Sequence, residues 1–480
     1  MQPQKLSIFS YQNICAIFTM IMRHIDASFV CKTSAVQAVP SISGQKIYGS
    51  FRGVYISRTV LLLVIFGLLG CTSQEGAPFV KLIDPSEKAD TANASSSRNI
   101  TVSSSAENRL LVLGIDGNVF TMTPSGDEII TLTGDAERGK IVYQQPTWSP
   151  DGKLVAWTQT LTDRGNVRAQ LQISDHLGEQ QSELNLPFAP FYYYWSPDSE
   201  RLAYLSNWVY RNMSALALRV VDVSADDITA KTLAIGQPSY FSWAPDSRRM
   251  ITHIANELTS IRSLDGESIP ISEASSGFSA PQWMADGNSI IYAINQGGER
   301  ALVLSDPESE GLQEVTTYNN RIIFSANPTS RYFAYTTEDP ASIQNSASGL
   351  YVVDIESMQT REVSDEASLG FIWSPDGEKL AFMQMDEVDG EPRVRWHIWL
   401  AEDGTVTLYD AFIPSRTFLQ NYLPFFDQYV QSMTMWSPDS TAFVYAGNGS
   451  SDTTSIWVQY ISDDKPIEVG SGVFATWSPK

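Results

Sequence analysis

The chain has 480 residues, 43% of them hydrophobic and 11% aromatic, which is enough apolar surface for a large buried core. Its 32 Lys and Arg against 54 Asp and Glu give a net charge of −22, which argues against nucleic acid as a partner and against electrostatic adhesion to anionic lipid. Three Cys, at 15, 31 and 71, leave no disulfide framework once the N-terminus is processed, so stability has to come from packing.

Residues 1–50 include an apolar stretch from Ile14 to Met22 and read as a leader or a mis-assigned start, with translation beginning near Val54. Residues 51–70 have the order of a lipoprotein signal peptide. Arg52 and Arg58 precede an apolar run from Val60 to Leu69, too short to span a bilayer, and Leu68-Leu-Gly-Cys71 closes it with small residues ahead of a thiol. This predicts cleavage before Cys71, lipidation of its thiol, and a bacterial cell-envelope protein held by that lipid on the extracytoplasmic side of the membrane. Cleavage removes six cations and one acid, leaving 26 against 53, or −27. Residues 71–108 turn to Ser, Ala, Thr and Asn, as in Ala92 to Ser97; they are expected to be a flexible tether, because such a composition cannot build a core.

From residue 109 onward one phrase recurs. It reads Trp148-Ser-Pro-Asp-Gly152, Trp195-Ser-Pro-Asp-Ser199, Trp243-Ala-Pro-Asp-Ser247, Trp283-Met-Ala-Asp-Gly287, Trp373-Ser-Pro-Asp-Gly377 and Trp436-Ser-Pro-Asp-Ser440, with a truncated Trp477-Ser-Pro-Lys480. A degenerate copy, Ala326-Asn-Pro-Thr-Ser330, fills the one double interval and makes eight. The spacings of 47, 48, 40, 43, 47, 63 and 41 residues suit one four-stranded propeller blade per repeat. Within the phrase, Pro fixes φ, Asp bonds the following backbone and Gly or Ser takes the tight corner, so each Asp is read as part of a hairpin turn rather than as a catalyst. The segment from Leu110 to Thr133 has three strands and no Trp phrase, and the C-terminus ends on a lone strand from Gly472 to Trp477. Together they complete one blade. The expected fold is an all-β, eight-bladed propeller of four-stranded antiparallel blades, closed by the C-terminal strand joining the first blade.

The run from Gly117 to Thr133 followed by Trp148 to Trp157 resembles the repeat of the TolB-like β-propellers, which use Trp-Ser-Pro-Asp-Gly, then Leu-Ala-Phe, then Ile-Tyr-x-x-Asp. The resemblance covers about 109–480 and implies the fold; scaffold proteins of the periplasm and propeller domains attached to serine peptidases share the motif. TolB itself has a separate α/β domain, and nothing before Leu110 resembles it.

Reactive groups are sparse. His176 reads as a turn residue, while His253 and His397 fall on strands, where a structural imidazole is the default. No Gly-x-Ser-x-Gly elbow, His-Glu-x-x-His motif or phosphate-binding loop occurs, and Asp222 to Asp227 lacks the Gly and Glu of a calcium loop. No catalytic residue, metal ligand or cofactor is assigned. Attention passes to the channel entrance opposite the Ser-Pro-Asp turns, where loops of all blades converge. The candidate binding residues there are Tyr192, Tyr193, Tyr240, Phe278, Arg321, Phe426, Asp427 and Tyr429. The interval between Trp373 and Trp436 is enlarged by an aromatic insertion at 409–433, read as either a channel plug or a recognition element. The expected function is non-enzymatic binding of a protein, peptide or glycan at this entrance; the alternative is a carbohydrate-active hydrolase or lyase using acids at the same place.

Overall fold

The repeated phrase folds as a tight turn held by its own side chains. In its first copy the Gly152 N–H donates to the Ser149 carbonyl at 2.8 Å, Ser149 Oγ donates to Asp151 Oδ1 at 2.7 Å, and that carboxylate accepts the Lys153 N–H at 3.0 Å. The fifth residue is left-handed, with φ +71° at Gly152, a conformation that glycine enters without a Cβ penalty. Ser199, Ser247, Ser330 and Ser440 occupy the same corner at φ 59–63°. Their hydroxyls answer for that strain. Ser199 Oγ accepts the Asp151 N–H of the preceding turn at 3.0 Å, Ser247 that of Asp198 at 3.0 Å, Ser330 that of Asp286 at 2.7 Å and Ser440 that of Asp376 at 3.1 Å. The turns are thus bonded to one another around one rim. The acids are engaged in the same structure; the Ser437 hydroxyl, for example, holds the Asp439 carboxyl below the ordinary carboxylate range.

The computed structural model describes residues 80–83, 104–210, 213–225, 228–237, 239–254, 258–272, 280–307, 311–319, 321–338, 349–366, 368–450 and 453–480. The expected leader, the signal peptide and Cys71 lie outside the described residues.

The first strand in chain order is β1 (Val80–Ile83), and blade 1 is β2 (Leu110–Leu113), β3 (Val119–Met122) and β4 (Ile130–Thr131) with the C-terminal strand as its innermost member. Blade 2 is β5 (Ile141–Trp148), β6 (Leu154–Asp163), β7 (Asn166–Asp175) and β8 (Gln181–Leu186), and blade 3 is β9 (Pro190–Trp195), β10 (Arg201–Tyr210), β11 (Met213–Asp222) and β12 (Ala230–Gln237). Blade 4 contains β13 (Ser239–Trp243), β14 (Arg249–Ile254), β15 (Leu258–Ser263) and β16 (Ser268–Ser272), and blade 5 contains β17 (Gln282–Trp283), β18 (Ile290–Gln296), β19 (Glu299–Ser305) and β20 (Leu312–Thr317). Blade 6 runs through β21 (Arg321–Ala326), β22 (Tyr332–Glu338), β23 (Gly349–Asp354) and β24 (Thr360–Ser364), and blade 7 through β25 (Gly370–Trp373), β26 (Lys379–Val388), β27 (Glu391–Leu400) and β28 (Val406–Phe412). Blade 8 has β29 (Ala442–Asn448), β30 (Thr454–Tyr460) and β31 (Ile467–Ser471), and its innermost strand is reduced to a bridge between Trp436 and Phe443 where the chain emerges from the insertion.

The final strand, β32 (Phe474–Trp477), pairs antiparallel with β2, Leu110 opposite Trp477 and Leu113 opposite Phe474. The ring is therefore an eight-bladed propeller closed by its C-terminal strand, which removes the sheet edges an open ring would expose. The repeated Trp side chains are wedges between blades. Trp243 Nε1 donates to the Tyr194 carbonyl at 2.9 Å, Trp373 Nε1 to that of Ser325 at 3.1 Å and Trp436 Nε1 to that of Ile372 at 3.1 Å, each on the innermost strand of the blade before.

Two stretches of the expected tether are built onto the propeller. Ala106 is buried and its N–H donates to the Gly152 carbonyl at 2.8 Å, while Asn108 Oδ1 accepts Trp477 Nε1 at 2.8 Å. Further upstream, β1 adds a fifth strand to the outer edge of blade 3, antiparallel to β12. A short β-branched segment beside an unpaired edge is the combination that favours strand addition.

Candidate functional site at the channel mouth

The first strand of each blade starts at the rim opposite the Ser-Pro-Asp turns, and the insertion lies across that mouth. After β28 it runs beside the end of β29, with the Ile413 N–H donating to Asn448 Oδ1 at 2.8 Å and the Ser415 N–H to the Ala446 carbonyl at 2.9 Å. Ser415 Oγ then caps the turn that follows by accepting the Phe418 N–H at 3.1 Å. From there the chain is helical: a π turn at Phe418–Tyr422, a 3-10 turn at Leu423–Phe425 and an α turn at Phe426–Tyr429. The spacing of Phe418, Tyr422, Phe426, Tyr429 and Met433 puts an apolar stripe on one side, and all five are buried.

These side chains fill the channel mouth. Tyr422 stacks on Phe474 of blade 1 with centroids 4.1 Å apart, Tyr429 meets Tyr192 of blade 3 edge-on at 5.0 Å, and Phe426 lies 6.4 Å from Phe371 of blade 7. Gly370 makes the last contact possible, since a Cβ there would come within 2.9 Å of the Phe426 ring. The α turn also lies beside β21 of blade 6.

Polar groups fasten the plug. Gln428 Nε2 donates to the Phe241 carbonyl at 2.8 Å and its Oε1 accepts the Phe241 N–H at 3.1 Å, so one amide clamps the innermost strand of blade 4. Tyr192 donates to the Gln428 carbonyl at 3.0 Å. Tyr429 donates to the Phe191 carbonyl and accepts from Gln145 Nε2 at 3.0 Å; Gln145 stands at φ +55° in an irregularity of β5. Burial pushes the Tyr192 and Tyr429 hydroxyls well above their ordinary range, which keeps both protonated as donors.

Of the candidate residues, Tyr192, Phe426 and Tyr429 share this cluster, and Asp427, also buried, lies in the same α turn. Tyr193 lies elsewhere. Consecutive strand residues point to opposite faces, so it enters the seam between blades 2 and 3, where its hydroxyl pairs with Thr158 Oγ1 at 2.8 Å beside Tyr204. Tyr240, half-buried, sits by His253 with ring centroids 6.3 Å apart. Arg321 opens β21, and Phe278 lies outside the described residues. Gln145 and Phe474 join the site without having been expected at the mouth, whereas Phe241, Tyr422 and Gln428 lie in the rim segments and insertion that the sequence marks but were not among the candidate binding residues. The four-residue spacing of Phe418, Tyr422 and Phe426 is the signal that would have shown a helical plug.

What the mouth offers outward is the far side of the insertion: Arg416, Gln420 and Asn421 exposed, with Leu423 and Phe425 half-buried. Among the described residues no group of three or more His, Cys, Asp or Glu is arranged to hold a metal ion. His176 and His253 are buried and His397 half-buried.

No protein-family description matches the chain, and no curated protein matches it. Solved structures with a similar course include TolB from Acinetobacter baumannii, 16% identical over 67% of this chain and 82% of that one, with a TM-score of 0.36. The β-propeller domain of the Trilobed protease from Pyrococcus furiosus is 12% identical over 69% of this chain and 99% of its own, TM-score 0.44. An oligogalacturonate lyase in complex with manganese is 11% identical over 69% and 86%, also at 0.44. At such identities the likeness concerns the fold alone.

Proposed function

We propose that the chain is a non-enzymatic propeller lipoprotein of the TolB-like kind, anchored through Cys71 on the extracytoplasmic side of a bacterial membrane, which binds a protein, peptide or glycan on its plug-bearing rim. The observation that carries this reading is the plug. The mouth where the blades converge is occupied by the chain's own aromatic insertion, whose Gln428 amide and Tyr429 phenol are spent on the main chain of neighbouring blades. Recognition then falls to the outer face of the plug, where Leu423 and Phe425 offer apolar contact ringed by Arg416, Gln420 and Asn421.

The test is a pull-down from native envelope membranes with the wild-type chain and with Phe425→Ala, alongside incubation with an oligosaccharide panel. Retention of a partner by the wild type, weakened about tenfold or more in the variant, is the expected result. Cleavage of any oligosaccharide would overturn the non-enzymatic reading and favour the carbohydrate-active alternative.

A further inference from the structure

The fifth strand of blade 3 has a direction. Fourth strands run from the turn-bearing rim to the mouth rim, and β1 is antiparallel to β12 with Val80 opposite Gln237, the last residue of β12. Val80, where β1 begins, therefore lies at the mouth rim, on the outer edge of blade 3. Cys71 is nine residues upstream, and at ~3.4 Å per residue this leaves at most about 30 Å between the lipid acceptor and that edge.

The same corner is unusual in its side chains. The second and third strands of blades 2 and 3 are ten residues long, against six or seven in blades 4, 5, 6 and 8, so their hairpins stand higher above the mouth; blade 7, across the ring, shares this length. Val167 and Val209, near the two tips, are 63% and 49% exposed, and Val142 and Phe191 lie below them at 37% and 36%. Val142 pairs with Thr160 and Val167 with Thr162, which puts both on the face of blade 2 that carries Thr158 toward blade 3. Exposed Arg164 and Arg168 flank Val167, and against the exposed Asp163 beside them they still leave this tip net positive in an acidic chain.

We propose that the hairpin tips of blades 2 and 3, together with the edge extended by β1, are the surface this protein lays on the phospholipid bilayer that holds its own anchor. The inference rests on Cys71 being the lipid acceptor. The short connection keeps this corner near the headgroups; valine and phenylalanine side chains then enter the interface, and the two guanidinium groups meet phosphates. Contact at this one corner tilts the ring on its anchor, so that the Ser-Pro-Asp turns of the far blades face away while the outer face of the plug stays open to its partner.

The experiment uses the full lipidated chain reconstituted in phosphatidylethanolamine and phosphatidylglycerol vesicles containing brominated lipid. Val167→Cys, Val209→Cys and, on the turn-bearing rim of blade 6, Glu356→Cys each introduce the one reactive thiol for a fluorophore, because the Cys71 sulfur is blocked. Brominated lipid is expected to halve the emission at 167 and 209, at least, and to leave 356 unchanged. Equal quenching at all three positions, or none at 167 and 209 in vesicle-bound protein, overturns the orientation while leaving the anchor standing and the tips open to a protein partner. A wild-type chain that fails to float with the vesicles overturns the anchor and the orientation with it.

Discussion

Gln428 shows how one side chain can decide what a channel mouth does. Its amide satisfies both the N–H and the carbonyl of Phe241, two buried groups that would otherwise lack a partner there. Gln428→Ala is expected to cost about 1–3 kcal/mol in urea unfolding, or to release the plug locally, since the groups left behind bear the desolvation penalty. Gly370→Val acts on the same contact by sterics, pushing the Phe426 ring out of the space it occupies against blade 7. His397 reports from another place. Burial first, and then the nearby Arg395, lower its pKa from 6.5 to about 4. A depressed folded-state pKa means that protonation opposes folding, so stability is complete above pH 6.5 and declines as pH falls toward 4. Unfolding curves of wild type and His397→Gln across that window check this: the variant should show the shallower decline.

The turns and the insertion are elements of opposite legibility. The Ser-Pro-Asp turns announce themselves because Pro, Asp and a left-handed fifth residue are local requirements, met by contacts within five residues. What local sequence conceals is the second use of the serines at 199, 247, 330 and 440, since each accepts a bond from a turn more than forty residues earlier. This separates two substitutions. Ser199→Gly keeps the left-handed corner and loses only the inter-turn bond, about 0.5–1.5 kcal/mol, whereas Ser199→Ala loses the bond without gaining glycine's freedom and should be the more destabilising by about 1 kcal/mol. Equal midpoints for the two in chemical denaturation would contradict the assignment. The insertion was legible as an aromatic excess of the right size and position, but its choice between plug and exposed reader was not. That choice depends on Gly370, Phe241 and Phe474, residues from three other blades whose convergence only the closed ring creates. Tyr193 illustrates the same limit, being adjacent to Tyr192 in sequence and on the opposite face of the sheet.

For the whole molecule, eight repeats and a terminal strand without partners were enough to specify a closed ring, because a propeller leaves few other places for an orphan strand. Deleting residues 472–480 should strip β2 of its partner and detach Trp477 from Asn108, with aggregation and a large loss of stability. A soluble deletion with an unchanged unfolding midpoint would contradict closure. The extension of blade 3 by β1 was not legible, since a four-residue strand inside a Ser- and Ala-rich segment carries no period of its own. The functional reading depends on the mouth being filled, and hydrogen exchange by mass spectrometry on the folded protein measures this directly. Peptides spanning 418–433, including the Val430 and Met433 amides bonded to Phe426 and Tyr429, should exchange as slowly as those of the innermost strand around Phe241. Complete exchange of 418–433 within seconds, while the blade strands remain protected, would show an open mouth and contradict the plug.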